Sequence, residues 1–446
     1  MSFQAPRGTR DFLPESMAVR RHVEGAWRKA SIDFGFEEVD GPTFEHVELY
    51  TVKSGEGIVN ELFSFKRSGG SDTYALRPEF TPTLARMLAA AGGSLPLPVK
   101  WFTIPTLFRA ERPQRGRLRE FVQWNVDVVG IDSPAADVET MAVAAAALDR
   151  LGLRPKDVQL RISHRGAVAG LLEALGVPAE RHGAAFELLD RRDRLEPEEY
   201  RRRRDALLGG TGAGAEAARR LDELLRRTIP VAELDARAGA LGLPETALEP
   251  LRAIAAELRA ADLAPWASFD FGIVRGLAYY TGVVFEIHEA TGAERAVAGG
   301  GRYDGLVELF GGPRMPAVGF GMGDVVLGLL LEERGLLGGE GGRAALLPRP
   351  DAFVISAGSE ADLRLRAVVS ELRRAGLHAR HSYRTTRNVG KLLGEASRCR
   401  SRCAVILGAE LGAGLVALKD LGGGEQRLVP VGDVVAEVRR LAQRSE

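Results

Sequence analysis

Five arginines lie in one short stretch of this chain, and their chemistry is the first clue to its function. The stretch FRAERPQRGRLREF, residues 108–121, is called the arginine loop here, and it contains Arg109, Arg112, Arg115, Arg117 and Arg119. A guanidinium stays charged at physiological pH and can bind two oxygens of one phosphate. The loop therefore suits a nucleotide or the end of a nucleic acid. GGGRYDG at 299–305 lacks the lysine of a Walker loop, so arginines would have to hold any ATP.

A strand with one apolar and one polar face follows the arginine loop. Its apolar positions are Val122, Trp124, Val126 and Val128, and its polar positions are Gln123, Asn125 and Asp127. Half-buried strands commonly alternate in this way, with the polar face in water. The preceding strand, residues 101–108, is apolar on both faces and should be central in a sheet. We therefore expect the two strands to form a hairpin whose polar face lines a binding site.

Two further stretches could contribute to a pocket for a small polar molecule. LRPEFT places Glu79 and Thr81 on alternating positions of an extended segment, and RGLAYYTG joins Arg275 to a pair of tyrosines. Glu79 and Asp127 could hold a cationic or polar group, with a tyrosine lining the pocket. Each stretch is weak alone, because paired tyrosines are more often core packing and a lone glutamate more often lies at the surface.

The composition is typical of a globular protein of two or three domains. The 446 residues contain 60 Lys and Arg against 60 Asp and Glu, so no attraction of the whole molecule to nucleic acid or membrane is expected. The N-terminus has no signal-peptide pattern and no apolar run could span a bilayer, which predicts a cytoplasmic protein without a membrane partner. Cys399, Cys403 and the seven histidines form no ligand cluster, so no structural metal is expected.

The elements that must position these residues divide the chain into five parts. Residues 1–164 and 267–332 carry mixed helix and strand patterns and are predicted to be two parts of one domain. Between them, 165–266 has charge runs and clustered glycines that indicate a helical insertion. The Gly- and Pro-rich residues 333–350 are predicted to be a linker, and 351–446 a compact α/β module.

A β-hairpin is expected in the second part of the main domain. Its first strand lies in FGIVRGLAYYTGVVFEIHE, its turn at Ala290–Gly292, and its second strand runs through Arg295 to Ala298.

These stretches together resemble the histidyl-tRNA synthetases, a family of class II aminoacyl-tRNA synthetases. FRAERPQRGRLREFVQWNVDVVG resembles class II motif 2 in the form typical of this family, and IVRGLAYYTGVVFE resembles the family's own signature. PRGTRDFLP, GFEEVDGPTFE, LRPEFT and AGGGRYDGL follow the family's order, and the resemblance covers nearly the whole chain. It implies an α+β fold: a class II antiparallel sheet flanked by helices, a helical insertion and a C-terminal α/β anticodon-binding domain. It also implies a homodimer, with Pro42 in motif 1 at the interface.

The activity that the resemblance implies is a two-step reaction. The carboxylate of L-histidine attacks the α-phosphorus of ATP to give histidyl-adenylate and pyrophosphate, and the histidyl group then passes to the terminal adenosine of histidine tRNA. Mg²⁺ would come with ATP, on its phosphates and a carboxylate. The protein's work would be positioning and charge neutralisation.

The motif matches imply a role for each candidate residue. Arg109 and Arg275 would be catalytic and would bind the α-phosphate of ATP from two sides, with Glu111 near the adenine or ribose. Gln114 and Arg115 would approach the acceptor end of the tRNA. The histidine substrate would be held by Glu79, Thr81, Gln123, Asp127, Tyr279, Tyr280 and Tyr303, with Arg302 in the same segment. Asp127 stands where the family has a glutamate, so its shorter side chain is expected to act through water.

Motif 3 departs from the family pattern. The segment AVGFGMGDVVLGLL, residues 317–330, has Val326 where the family has an arginine that helps bind ATP. Either another residue does this work, as in similar plant-organelle and bacterial sequences, with Arg314 as one candidate, or ATP binding has been lost.

Two alternative functions stay open. A non-catalytic regulatory subunit of ATP phosphoribosyltransferase would bind histidine and a partner protein, but that subunit typically lacks the C-terminal module, and Arg109 and Arg275 are present here. A sensor of uncharged tRNA is disfavoured because no kinase signature accompanies the chain. In the C-terminal module, His381 and Tyr383 are the candidate stacking groups for an anticodon base.

Overall fold

The computed structural model describes residues 3–54, 56–192, 195–209, 211–241, 243–274, 280–290 and 295–443. The chain divides into a first unit, Met1–Leu346, and a second unit, Leu347–Glu446. Within the described ranges, no helix is both long and apolar enough to span a membrane.

The first unit is built on a large, mainly antiparallel sheet. Its strands are β1 (Glu37–Glu38), β2 (Phe44–His46), β3 (Ser64–Lys66), β4 (Thr73–Leu76), β5 (Val99–Thr103), β6 (Thr106–Phe108), β7 (Glu120–Val129), β8 (Val158–His164), β9 (Thr228–Pro230), β10 (Ala267–Asp270), β11 (Val283–Glu289), β12 (Ala298–Arg302) and β13 (Ala317–Gly323). The main sheet has the order β1-β5-β7-β13-β12-β11-β8-β10-β9, with β6 paired to β7, and a small sheet has the order β2-β4-β3. The predicted class II arrangement, an antiparallel sheet flanked by helices, is confirmed.

The described part of the first unit also contains α-helices, some of which, such as α1 and α4, cover the main sheet. They are α1 (Pro14–Asp33), α2 (Val47–Ser54), α3 (Thr81–Ala91), α4 (Pro134–Arg150), α5 (Arg165–Ala174), α6 (His182–Asp190), α7 (Pro197–Leu208), α8 (Ala213–Leu224), α9 (Leu234–Leu241), α10 (Glu245–Ala260), α11 (Leu306–Leu309) and α12 (Asp324–Glu333). The long helix α1 begins at Pro14, whose fixed φ suits a first turn. Trp27 of α1 is fully buried and stacks on Trp124 of β7, with ring centroids 5.9 Å apart. The apolar face of β7 is thus sealed by a helix.

The region 165–266 is mostly helical, as expected, but it does not stand apart from the main sheet. Its short strand β9 pairs with β10, and Ile229 in that strand is buried. Helix α10 packs on α4 and α5 in the same apolar core. A three-residue strand is too short to show alternation, which is why the sequence pattern did not reveal β9.

The hairpin formed by β11 and β12 is present with a later second strand than expected. Residues 295–297 precede β12, which begins at Ala298 opposite Ile287. Thr291 and Gly292, in the predicted turn, lie outside the described residues. The segment predicted as a linker contains two short 3₁₀ turns within Gly339–Leu346, separated by a kink at Gly342, and this stretch packs against α1.

The second unit is a smaller α/β module with its own apolar core. Its elements are β14 (Ala352–Ser356), α13 (Ser359–Arg374), β15 (Ala379–His381), α14 (Val389–Arg398), β16 (Cys403–Leu407), β17 (Leu415–Asp420), β18 (Gln426–Pro430) and α15 (Val434–Gln443). The strand order is β15-β14-β16-β17-β18, parallel among the first three and antiparallel beyond them. The sequence predicted all of these strands except the edge strand β18.

Candidate active site

The arginine loop is a two-stranded ribbon that joins β6 to β7. The N–H of Arg109 donates to the carbonyl of Arg119 (2.9 Å), and Gln114 and Arg117 exchange main-chain hydrogen bonds of 3.0 and 2.9 Å at the tip. Gly116 closes the turn with φ +74°, a left-handed conformation that favours glycine. The predicted hairpin is therefore present. The Arg109–Arg119 pair forms the base of the loop, and the turn from Gln114 to Arg117 forms its tip.

Arg109 lies at the base of the loop, in a pocket of mixed character. Its Nε donates to the carbonyl of Pro78 (3.1 Å), and its guanidinium lies over the ring of Phe121, 4.9 Å from the centroid. Burial lowers the pKa of Arg109, while the carboxylates of Glu79 and Glu111 raise it. The residue still keeps its charge, since an arginine does not lose its proton in proteins. It is thus a half-buried, positioned cation.

Carboxylates neutralise several other arginines of the loop. Glu111 forms an ion pair with Arg117. Burial raises the pKa of Glu61, and the nearby Glu111 raises it further. Arg115 is exposed and pairs with Glu333 at 2.6 Å, and Gln114 is exposed beside it. Gln114 and Arg115 therefore lie together at the tip, away from the buried base.

The polar face of β7 is covered rather than exposed to water. This strand lies between β5 and β13 in the interior of the main sheet. Asn125 and Asp127 are only 6% and 7% exposed, and Gln123 is half-buried. Buried polar side chains need hydrogen-bond partners. We therefore expect other polar groups to contact this covered face.

Asp127 is held by Tyr303. The Tyr303 hydroxyl donates to Oδ1 of Asp127, and the tyrosine itself is 3% exposed. Tyr303 and Tyr280 belong to one apolar cluster with Phe80. The structure thus brings together three of the predicted pocket elements: strand β7, the segment around Tyr280 and the segment around Tyr303.

Glu79 and Thr81 border the same cluster, because Phe80 lies between them. Glu79 is half-buried and close enough to Arg109 to raise its pKa, and Thr81 is the first residue of α3. The neighbouring Arg77 is buried instead and donates to Asp40 (2.6 Å). LRPEFT thus supplies both a structural arginine and two candidate ligands.

Arg302 faces away from the pocket. It forms an ion pair of 2.7 Å with Asp137 of α4 and donates to the carbonyls of Ile131 and Ser133. Burial raises the pKa of Asp137 to about 6, against the opposing effect of Arg302. Because adjacent strand residues point to opposite faces, Tyr303 then faces the pocket. Through these contacts Arg302 fixes the position of the neighbouring Tyr303.

Glycines of β12 and β13 make room for the polar side chains, and sequence reasoning did not assign them this role. A Cβ on Gly319 would collide with Asp127 Oδ1 and lie 2.6 Å from the carbonyl oxygen of Val126. A Cβ on Gly321 would lie 2.8 Å from the amide carbon of Gln123, and one on Gly301 would lie 2.9 Å from the Tyr280 ring. The signal in the sequence is the alternation of glycines at 319, 321 and 323.

Arg275 and Tyr279, two predicted site residues, lie outside the described residues. The residues on either side, Val274 and Tyr280, are both buried.

Val326 lies in the first turn of α12, directly after β13. Asp324, at the start of this helix, accepts from the N–H of Val122 (3.0 Å) and from Arg10 (2.7 Å). Arg314 precedes the other end of β13 and is exposed. A seven-residue strand spans roughly 20 Å. The geometry therefore does not favour Arg314 as the substitute for an arginine at position 326.

Within the described ranges, no group of three or more His, Cys, Asp or Glu side chains is arranged to hold a metal ion.

Comparisons with known proteins agree with the domain pattern of the fold. A family model described as histidyl-tRNA synthetase matches residues 8–323, and a model described as anticodon binding domain matches residues 351–441. The histidine–tRNA ligase of Opitutus terrae is 38% identical over 441 residues, which cover 98% of both chains. The histidine–tRNA ligase of Natronomonas pharaonis is 39% identical over 427 residues, which cover 95% of both. The histidyl-tRNA synthetase structure from Nostoc sp. PCC 7120 superimposes with a TM-score of 0.79 at 24% identity, covers 99% of both chains, and supports the fold.

Proposed function

The chain belongs to the histidyl-tRNA synthetase family, and from this premise we propose how its residues perform the family's reaction. That reaction is the ATP-dependent attachment of L-histidine to histidine tRNA through histidyl-adenylate. One observation carries the assignment of the site: a single hairpin joins the half-buried cation Arg109 to the covered polar face that contains Asp127. A site that activates an amino acid needs both a group for the phosphate and a group for the side chain within reach of one another.

We propose that the histidine substrate binds with its imidazole toward Asp127 and Glu79. A carboxylate accepts hydrogen bonds from imidazole N–H groups, and Tyr303 fixes the orientation of Asp127. Gln123, Thr81, Tyr279 and Tyr280 would complete the pocket. Buried acceptors of this kind reject an amino acid that offers no donor by roughly 10⁴-fold or more, because they would be left unpaired.

Arg109 is proposed to bind the α-phosphate of ATP, with Arg275 on its other side and Glu111 toward the adenine or ribose. When the histidine carboxylate attacks, negative charge grows on the oxygens of the α-phosphate. A guanidinium already held by Pro78 and Phe121 needs no reorganisation to stabilise that charge. Such preorganised donors commonly contribute a factor of about 10² to 10³ to the rate.

Mg²⁺ is proposed to arrive with ATP, on its phosphates. Glu61 and Glu111 lie side by side, and burial together with Glu111 raises the pKa of Glu61. Arg117 forms an ion pair with Glu111 and offsets part of the repulsion between the two carboxylates, so Glu61 is the carboxylate of the pair that could approach Mg²⁺, which prefers oxygen ligands.

The tRNA is proposed to contact both units. Gln114 and Arg115 are exposed at the tip of the arginine loop and suit the acceptor end. In the second unit, Tyr383 is 89% exposed and its ring lies 4.5 Å from that of His381, an arrangement on which a base could stack. The functional division at 164, 266, 332 and 350 is proposed to separate the catalytic parts, the insertion, the linker and the anticodon-binding domain.

A homodimer and a cytoplasmic location complete the proposal. The small sheet exposes an aromatic cluster in which Phe44 packs edge-on against Phe65 and Tyr74. Phe44 and Phe65 are 49% and 43% exposed, which is unusual for such large apolar groups and suits burial against a second copy. Pro42 lies two residues before Phe44, in the same motif 1 segment.

The regulatory-subunit alternative is less well supported than the synthetase. The anticodon binding domain match at 351–441 has no evident use in a histidine-binding regulator, and the relatives described above are histidine–tRNA ligases over nearly their full length.

Charging of tRNA tests the proposed function directly. Purified protein would be incubated with radiolabelled histidine, ATP, Mg²⁺ and a histidine tRNA transcript. We expect histidine, and no other amino acid, to appear in acid-precipitable RNA only when ATP is present. Histidine binding by calorimetry without any charging would contradict the proposal and favour the regulatory subunit.

A further inference from the structure

Beside the tip of the arginine loop, Arg295 has no hydrogen-bond or ion-pair partner among the residues that the structure describes. A Cβ placed on Gly116 would lie 3.3 Å from Cγ2 of Val326 and 4.0 Å from Cδ of Arg295. The side chains of Val326 and Arg295 therefore flank the same turn of the loop. Position 326 is where the family pattern has an arginine and this chain has none.

The strand register explains why Arg295 lies there. Ala298 of β12 pairs with Met322 of β13 in an antiparallel arrangement. Three residues before Ala298 is Arg295, and three residues after Met322 is Val325, in the first turn of α12. The chain leading into β12 thus brings the arginine to the start of this helix.

Three arginines near Arg295 are neutralised by carboxylates, whereas Arg295 has no such partner among the described residues. Arg10 pairs with Asp324, Arg115 with Glu333 and Arg117 with Glu111. Arg295 is exposed and makes no hydrogen bond or ion pair with the part of the chain that the structure describes. An exposed guanidinium beside the proposed nucleotide site is suited to bind an anion, because no ion pair with the described residues has to break first.

We propose that Arg295 binds the outer phosphates of ATP, at the place where Val326 offers no charge. This inference rests on the proposed function. Arg109 lies at the base of the loop and Arg295 beside its tip, so the two cations suit different phosphates of one triphosphate. As the histidine carboxylate oxygen bonds to the α-phosphorus, the bond to the bridging oxygen breaks and its electron pair leaves with pyrophosphate. Arg295 neutralises the charge that the leaving pyrophosphate gains.

Histidine-dependent ATP–pyrophosphate exchange in the full chain, without tRNA, tests the proposal. We expect Arg295→Ala to raise the KM for ATP about tenfold or more while the KM for histidine stays unchanged, and Arg295→Lys to recover part of the loss. Adding Val326→Arg to Arg295→Ala should restore ATP binding, because the side chain of residue 326 also lies beside Gly116. Arg314→Ala, the rival that the sequence suggested, should leave the KM for ATP unchanged.

The outcomes separate this inference from the proposed function. Wild-type exchange with an unchanged KM for ATP in Arg295→Ala would overturn the inference and leave the function standing. An effect of Arg295→Ala on the KM for tRNA alone, measured in the charging reaction, would assign the arginine to RNA and also overturn it. Absence of exchange in the wild type would instead contradict the proposed function and the inference with it.

Discussion

At the scale of single residues, the proposed histidine pocket depends on one carboxylate and one phenol. Asp127 is 7% exposed and accepts a hydrogen bond from the buried Tyr303 hydroxyl. The sequence predicted both residues as ligands, Asp127 from the alternation along its strand and Tyr303 from the family resemblance. It could not predict their contact, because they are 176 residues apart in the chain and meet only through the sheet.

Removal of the Asp127 charge should weaken histidine binding selectively. Asp127→Asn loses a charge-assisted hydrogen bond worth about 1.5 to 3 kcal/mol, so the KM for histidine should rise about 10- to 150-fold while the KM for ATP changes little. Tyr303→Phe should have a smaller effect in the same direction. Exchange kinetics at varied histidine concentration would measure both, and a normal KM for histidine in Asp127→Asn would remove this residue from the pocket.

His164, at the end of β8, should make stability depend on pH. Burial, together with the charge of Arg302, lowers the pKa of His164 to about 4. The unfolded chain has the ordinary histidine pKa of about 6.5, so below that pH the unfolded state binds more protons and is favoured. The stability contribution is complete above pH 6.5 and is lost as the pH falls toward 4.

The test compares how strongly the unfolding free energy depends on pH in the wild type and in His164→Gln. From pH 7 to pH 4.5, wild-type protein should lose about 2 to 3 kcal/mol more of its unfolding free energy than His164→Gln. All four tryptophans, Trp27, Trp101, Trp124 and Trp266, lie in the first unit, so their fluorescence in urea titrations reports the relevant unfolding. Equal pH dependence in the two proteins would show that His164 titrates normally in the folded state.

At the scale of elements, the site is made possible by a strand with almost no side chains on one face. Strand β13 carries Gly319, Gly321 and Gly323 at every second position beside the polar row of β7. The open space lets Asp127 and Gln123 lie across the strand without clashes. The bulky residues between these glycines, Phe320 and Met322, are buried in the core on the other face.

Alanine at these glycines should have strongly unequal effects. Gly319→Ala would strike Asp127 and the main-chain oxygen of Val126, so it should lower stability and raise the KM for histidine. Gly323→Ala is the matched control, because its Cβ would have nothing within 4 Å. Urea titration and exchange kinetics would compare the two variants. Similar behaviour of both would show that β13 does not provide space for the pocket.

Periodic elements were predictable from the sequence and short ones were not. Helix α1 and strand β7 showed clear apolar periods because each buries a long face in the core. Strands β9 and β18 lie at sheet edges, where few positions are buried, so their patterns are weak. The family resemblance implied an antiparallel sheet flanked by helices, whereas the order of its strands, which joins residues distant in the chain, came only from the structure.

At the scale of the whole molecule, the two units carry separate apolar cores, which fits the proposal that they perform different steps. The core of the second unit is formed by its own residues, among them Val354, Leu372 and Leu418. The residues proposed for adenylate formation lie entirely in the first unit. Recognition of the anticodon is proposed for the second.

Truncation should therefore separate the two steps. A chain of residues 1–346 should retain histidine-dependent exchange within a few-fold of the full protein, while its KM for tRNA in charging should rise at least about tenfold, because the anticodon contacts are lost. Tryptophan fluorescence would verify that the fragment is folded. A folded fragment that charges tRNA as efficiently as the full chain would contradict this division of labour.

The most direct test of the account is histidine-dependent ATP–pyrophosphate exchange by the purified wild-type protein without tRNA, alongside Arg109→Ala and Arg275→Ala. It isolates the formation of histidyl-adenylate, the step in which the missing motif 3 arginine matters. We expect clear exchange in the wild type and a loss of about 10² to 10³ in each variant, because each removes a cation from the α-phosphate. Absence of exchange in a wild-type protein that still binds histidine, or exchange that survives Arg109→Ala, would contradict the account.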